Sequence, residues 1–272
     1  MASPPWLVDL LKKNFAKRFF IARLTRAPLV GRLLRYLLFE TDEVFFLPKD
    51  RVISVNAQVE TPTQMVLPSQ IVEHFIEEAS FCWVMNFCIC RTASQCKDYP
   101  RELGCLFLGE AARGINPRFG HPVSKTEALA HVQRCREAGL VHLIGRNKLD
   151  TLWLGVGPGD RLLTVCNCCP CCCLQKMLPF LAPQAGAKFA KLPGVSVTVD
   201  QSRCAGCGTC ASGYCFVDAI HVVGHKAVIS QECRGCGRCV EACPRGAIKF
   251  SIEPAKSVAA VIKRITQAVN VH

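Results

Sequence analysis

Cysteine carries the chemistry of this chain, with twenty among 272 residues. Eight of them fall in two runs, Cys204-x2-Cys207-x2-Cys210-x4-Cys215 and Cys233-x2-Cys236-x2-Cys239-x3-Cys243-Pro244. Three thiolates at every third position let one tight loop close around a single metal cluster. The backbone N–H groups of Gly206, Gly208, Gly235 and Gly237 are then free to turn toward it. The fourth cysteine of each run stands too far along to close on its own loop without strain, and in a two-cluster arrangement it crosses to the other cluster. Ala219-Ile220 follows the first run as Ala247-Ile248 follows the second, so the two halves read as one duplicated unit. Cys-x2-Cys is also zinc spacing, and a pair of structural zinc sites is the alternative. Eight cysteines in this double pattern favour iron and sulfide.

A second cysteine-rich zone precedes the first. Phe87-Cys88-Ile89-Cys90-Arg91 and Cys96 open it, and Cys166-Asn167-Cys168-Cys169-Pro170-Cys171-Cys172-Cys173 closes it. In an extended segment Cys88 and Cys90 would share a face. Six cysteines in the eight residues 166–173 are too dense for packing alone and hazardous as free thiols. They predict a third metal centre, with two or three ligands from Cys88, Cys90 and Cys96 and the rest from Cys166, Cys168, Cys169, Cys171, Cys172 and Cys173. No single loop brings all the 166–173 sulfurs to one metal, so a fourth cluster or a redox-active pair stays open. Cys82, Cys105 and Cys135 read as small buried apolar residues. His142 is a candidate gate or ligand beside the third centre, and Arg91, Asp98 and Tyr99 are nearby polar candidates.

Residues 195–252 resemble the bacterial-type two-cluster ferredoxins. The resemblance implies two [4Fe-4S] clusters, the first held by Cys204, Cys207, Cys210 and Cys243 and the second by Cys233, Cys236, Cys239 and Cys215. The chain departs from that pattern in the longer spacing before Cys215, and in Phe216 where the pattern has proline. Residues 40–180 resemble the N-terminal part of multi-cluster ferredoxin-like proteins of anaerobes. That resemblance implies no particular activity.

These sites need elements to hold them, and the periodicity predicts an α+β protein. A basic amphipathic segment spans 1–40, with Leu7, Leu10, Leu11, Phe15, Phe19 and Phe20 at helical spacing, a break near Pro28 and a second helix from Leu29 to Phe39. A cysteine-rich α+β domain follows over 41–180. Extended pieces are expected at Val44–Leu47 and Val52–Val55, and a helix capped by Ser69 runs to about Ala79. Ser124-x-x-Glu127 is a capping box for a helix to about Ala138, ended by Gly139. Strands are expected at Val141–Ile144, Thr151–Leu154 and Leu162–Val165. A linker over 181–194 leads to the two-cluster domain at 195–252, and a terminal helix occupies 253–272.

Composition narrows the function. No secretory signal is visible, and thiols at metal spacing suit a reducing, low-oxygen cytoplasm rather than a disulfide scaffold. No apolar run reaches the roughly 20 residues that span a bilayer. The net charge is +12, and residues 1–40 hold eight basic against two acidic side chains, so half the surplus sits there. An acidic redox partner, or an anionic membrane surface contacted through residues 6–39, fits that charge. The competing reading packs those helices on the body with their basic faces in water. A helix followed by a hairpin is also the winged-helix pattern, but Arg134, Arg136 and Arg146 make no recognition stripe, and nucleic acid is not expected.

The expected function is an iron–sulfur electron-transfer protein or subunit passing single electrons to a partner redox enzyme. The alternative is an iron–sulfur oxidoreductase whose N-terminal cysteine-rich centre reduces a substrate.

Overall fold

The computed structural model describes residues 2–50, 52, 67–252 and 254–272. It is a mixed α+β protein built on one seven-stranded sheet. The strands are β1 (Glu43–Phe46), β2 (Cys82–Met85), β3 (Leu106–Leu108), β4 (Gly120–Val123), β5 (Val141–Arg146), β6 (Leu163–Cys168) and β7 (Phe189–Lys191). Their order is β4-β2-β3-β6-β5-β1-β7, antiparallel throughout except for the parallel β1–β7 pair at one edge.

The strands between the edge strands β4 and β7 are buried on both faces, so side-chain alternation there sorts one core from another rather than core from solvent. Phe45, Ile144, Leu163, Val165, Leu106 and Val84 point into one core. That core is covered by helices at Ser69–Glu78, Lys125–Glu137 and Pro254–Ala268. The terminal helix delivers Val258, Val261 and Ile265 to it, so it packs back on the large sheet. On the other face Val44, Phe46, Val141, Leu143, Cys166 and Cys168 meet Ala22, Met177 and Phe216. The N-terminal helices and the cysteine loops occupy this second side.

Local chemistry explains several boundaries. The capping box forms as expected: Glu127 N–H donates to Ser124 Oγ at 3.2 Å and Ser124 N–H to Glu127 Oε2 at 2.8 Å. Gly139 ends that helix at φ +74°. Ser69 does not cap its helix; its N–H donates to Asp50 Oδ1 at 3.2 Å. The N-terminal segment is three helices, Pro5–Lys13, Arg18–Leu24 and Leu29–Phe39, because the chain already breaks at Asn14, whose Nδ2 turns back to Leu10 O.

The structure corrects two other expectations. Residues 148–154 form a helix (Lys148–Leu154), started by Asn147 Oδ1 accepting from Leu149 N–H and by Asp42 Oδ1 accepting from Lys148 N–H at 2.6 Å. The hairpin behind the winged-helix comparison is therefore absent. Residues 181–194 are not a free linker: Leu181, Ala185, Phe189 and Leu192 are buried and β7 completes the sheet edge. Of the expected extended piece Val52–Val55, residues 53–55 lie outside the described residues.

The C-terminal unit has two small sheets, β8 (Ser196–Val199) with β11 (Ile248–Ser251) and β9 (Ile220–Val223) with β10 (Lys226–Ile229). A short 3-10 turn (Thr209–Ala211) and a short helix (Arg238–Ala242) carry the third cysteine of each triplet, Cys210 and Cys239, at equivalent places. The duplication read in the sequence is a duplication of structure. No helix among the described residues is long and apolar enough to cross a membrane.

Candidate metal centres

The C-terminal unit makes two small cysteine-lined cavities. Cys204, Cys207, Cys210 and Cys243 line one together with Pro244 and Ile248. Cys215, Cys233, Cys236 and Cys239 line the other, with Phe216 and Ile229. The last cysteine of each run thus stands in the cavity of the other run. The backbone is shaped for close approach: Gly206 has φ +67°, and a Cβ there would stand 2.1 Å from His225 O. Main-chain N–H groups point at sulfur in matching positions of the two halves. Ala219 N–H donates to Cys215 Sγ at 3.2 Å and Ala247 N–H to Cys243 Sγ at 3.3 Å. Ala227 N–H adds a bond to Cys204 Sγ at 3.3 Å. Such donors stabilise thiolate and lower the electron density on a bound metal.

The two cavities differ in surroundings. Cys207 is exposed. N–H donors from Ala227 and Gly206 pull the Cys204 thiol below its ordinary range, and Thr209 does the same for Cys207. In the other cavity burial pushes Cys236 up to about 12. Phe216 is buried, with its ring 5.8 Å from Phe46 on β1. The position that departs from the proline pattern thereby joins this cavity to the large sheet. Arg238 is buried as well, donating from Nη1 to Gly139 O at 2.8 Å and from Nη2 to Tyr99 Oη at 2.6 Å. It ties the C-terminal unit to the cysteine-rich domain and is not a free cation. Arg203 and Arg245 are exposed near the open cavity.

In the large domain the cysteines separate into two groups. Cys88, Cys90, Cys105, Cys166, Cys168, Cys169 and Cys173 line a cavity of 510 Å³. Neighbouring thiols interact in an unbroken series from Cys88 to Cys90, Cys173, Cys168, Cys166 and Cys105, the last pair 3.7 Å apart. Cys88 and Cys90 are not on an extended segment. Cys88 precedes a short helix, Ile89–Ala93, and its carbonyl accepts from Thr92 N–H at 2.9 Å. Cys166 and Cys168 share a face of β6 by simple alternation, while Asn167 points to the opposite side. Cys105 belongs to this group and is not mere packing. It stands next to Leu106, and the β3–β6 register of Leu106 with Val165 sets it beside Cys166. Only strand pairing reveals that neighbour, since 61 residues separate the two.

Thiol hydrogen bonds and burial drive Cys88, Cys90 and Cys105 well above the ordinary thiol range. Burial acts on Cys173 in the same direction, but hydrogen bonds from Cys168, Cys90 and Gln175 N–H overcome it and hold that thiol at about 6.

The second group is Cys96, Cys169, Cys171 and Cys172, whose sulfurs all lie within 4.8 Å of one another. A third centre built from both cysteine pieces was expected, with a fourth cluster or a redox-active pair left open; Cys96 stands with the 169–172 turn and not with Cys88 and Cys90. Cys82 and Cys135 are core residues in neither group.

Arg91 lies beside both groups and is 0% exposed. Its Nη1 donates to Asn167 O at 2.7 Å and its Nη2 to Leu103 O. Among the described residues it has no carboxylate partner. Burial works against its charge, but the sulfurs of Cys88, Cys169, Cys168 and Cys105 more than offset that and keep it protonated. A buried cation needs an anion. An all-sulfur donor set around such a cation fits an anionic iron–sulfide group. His142 does not point to the thiols: its Nδ1–H donates to Asn167 Oδ1 at 2.7 Å, and burial lowers its pKa to about 4.

Residues 227–249 match a 4Fe-4S binding domain. An uncharacterized ferredoxin of Methanocaldococcus jannaschii is 36% identical over 64 residues, which is 98% of that protein and 22% of this chain. This chain belongs to the ferredoxin family. As a ferredoxin it binds 4Fe-4S clusters and has an iron–sulfur electron-transfer role. Most of the chain lies outside both matches. No solved structure matches it.

Proposed function

We propose that this ferredoxin carries two [4Fe-4S] clusters in its C-terminal unit and a further iron–sulfur centre in the large cysteine-lined cavity, and passes single electrons between that centre and a partner redox protein. Bound there, the clusters supply one-electron transfer with little rearrangement. One observation carries the reading: Cys166, Cys168 and Cys173 share a continuous apolar core with Phe46, Phe216, Cys215, Cys233 and Cys236. That shared core links the large cavity to the buried C-terminal one. The open cavity lies at the other end, where Cys207 reaches solvent and Arg203 and Arg245 offer positive charge to an acidic partner.

The residues have distinct tasks in this arrangement. Glycines admit the backbone to the clusters, N–H groups stabilise thiolate, and Arg91 and Arg238 fix the large domain against its cysteine loops and against the C-terminal unit. The test is anaerobic isolation of the full chain with iron and sulfide counts and low-temperature EPR after reduction. About eight irons would restrict clusters to the C-terminal unit, whereas roughly twelve or more place one in the large domain. Cys215→Ala should alter a different EPR signal from Cys243→Ala; identical effects count against two separate clusters.

A second reading has its own observation. At 510 Å³ the large cavity exceeds what a cubane fills, even at about 30 Å³ for each of its eight atoms, or on the order of 240 Å³. Leu7, Leu11, Ile21 and Trp153 line the rest. A substrate reduced beside an incompletely ligated iron would occupy that space, and carbon monoxide or cyanide would then perturb the EPR signal of the large domain alone.

The N-terminal helices form one wall of the same cavity while leaving Trp6, Phe20, Leu33 and Tyr36 exposed and Leu29 85% exposed. Lys13, Lys17, Arg23 and Arg32 are exposed beside them in sequence. This pairing of apolar and basic side chains supports docking on an anionic membrane surface.

A further inference from the structure

Ten cysteines of the large domain fall into two neighbouring groups, with Cys169 at their border: it lines the large cavity and stands in the tight four-sulfur group. We infer that Cys96, Cys169, Cys171 and Cys172 hold one tetrahedral soft divalent ion, zinc or iron, as a mononuclear centre beside the large cavity, which Cys169 borders. The sulfur spacing carries this. All four sulfurs lie within 4.8 Å of one another, and Cys96 Sγ stands 3.5 Å from Cys171 Sγ. Four thiolates at a zinc–sulfur distance of about 2.3 Å make a tetrahedron with edges of about 3.8 Å. A cubane would spread the same four ligands over four irons, one at each of four corners, and so hold them further apart. The Cys96–Cys171 pair is also well beyond the roughly 2.05 Å of a disulfide, and all four cysteines are free.

The surroundings agree with a closed site. Cys169, Cys96 and Cys172 are buried, and Tyr99, Leu103, Ala138 and Leu140 pack around them. The donor set contains sulfur only, which selects zinc or iron over magnesium, calcium or manganese. Four protein ligands leave no open position, so the centre is structural or an electron relay and not a site of substrate binding.

Its place in the fold gives it a task. It staples two chain segments 75 residues apart, and each segment also carries ligand candidates of the large cavity: Cys88, Cys90 and Cys105 on one, Cys166, Cys168 and Cys173 on the other. Tyr99, three residues after Cys96, is the residue that Arg238 of the C-terminal unit grips. The ion therefore holds the frame in which both neighbours sit. This inference stands on sulfur geometry and does not depend on how many clusters the C-terminal unit binds.

The test uses the full chain purified without oxygen, with zinc, iron and acid-labile sulfide measured per chain. Either one zinc, or one iron in excess over sulfide, is expected, and the two results distinguish the metals. Cys171→Ser should remove that one equivalent while sulfide and the cluster EPR signals stay at the wild-type level; Cys135→Ser should change nothing. Growth with cobalt in place of zinc should give wild-type protein the intense visible bands of tetrahedral thiolate cobalt, a readout that survives if Cys171→Ser fails to fold. Loss of sulfide together with metal in Cys171→Ser overturns the inference by placing these thiols on a cluster. Iron equal to sulfide with no zinc, or a disulfide between any two of the four in wild-type protein, overturns it as well. Failure of the electron-transfer reading would look different: the cluster EPR signals would be absent while the cobalt bands remained.

Discussion

Arg91→Met removes a permanent charge from the interior while nearly keeping its volume. In the native chain the guanidinium is fully buried, makes two hydrogen bonds to main-chain carbonyls, and has sulfur as its only anionic company among the described residues. Each charge-assisted hydrogen bond contributes about 1.5–3 kcal/mol, so the two together are worth roughly 3–6 kcal/mol before compensation. Against this, methionine escapes a desolvation penalty of several kcal/mol for the buried ion. If the thiols stayed protonated, the two terms would nearly cancel and the substitution would be close to neutral. If the thiols hold an anionic centre, the guanidinium is its counter-charge and its loss costs about 3–5 kcal/mol. At about 2–4 °C per kcal/mol for a chain of this size, the melting temperature of the loaded protein should fall on the order of 10 °C. Arg91→Lys separates charge from shape, because it keeps the cation and loses the planar fork. Anaerobic scanning calorimetry at fixed scan rate, with iron counted after one hour at a temperature just below the transition, reads both. Arg91→Met should lose iron from the large domain and Arg91→Lys should retain most of it. Wild-type melting and iron content in Arg91→Met would refute the claim that this arginine balances an anionic centre.

Three further sets of substitutions probe the open cluster cavity, a buried carboxyl and the N-terminal helices. Gly206→Ala forces a Cβ against His225 O, whereas Gly208→Ala meets nothing closer than 3.9 Å. The first should abolish the open cluster's EPR signal, and the second should cost only the strain of positive φ, about 1–2 kcal/mol. Asp42 is pushed up to about 7, first by burial, so folding favours its protonated form and stability falls as pH rises. Between pH 6 and 8 the wild type should lose about 1.4 kcal/mol that Asp42→Asn, which keeps the acceptor for Lys148 N–H, does not lose; parallel melting curves would contradict this. Changing Phe20 and Leu33 to Ser should lower sedimentation with anionic vesicles while neutral vesicles capture neither protein, and equal capture of wild type and variant argues against membrane docking through these helices.

The chemistry of this ferredoxin was legible wherever its ligands are close in sequence. Three cysteines at every third position, interleaved with glycine, force one turn whatever surrounds it, and the repeated Ala-Ile after each run marked the duplication, to which the structure adds matching N–H···S bonds at Cys215 and Cys243. The capping box at Ser124 was equally local. Alternation along a strand explains why Cys166 and Cys168 face one way, although nothing before the structure showed that β6 runs on through them. Tertiary structure decided what depends on pairing between distant segments. Cys105 and Cys166 are neighbours because β3 and β6 are paired in one register, and Cys96 leaves Cys88 for the 169–172 turn because the chain folds into a helix between them. Residues 148–154 became a helix through a hydrogen bond from Lys148 to Asp42, over a hundred residues away. Residues 181–194, rich in small residues and proline, joined the sheet because β1 offered a free edge. Short-range spacing sets which cysteines can share a loop; only the packed sheet sets which loops share a metal, because sulfur ligates across space and not along the chain.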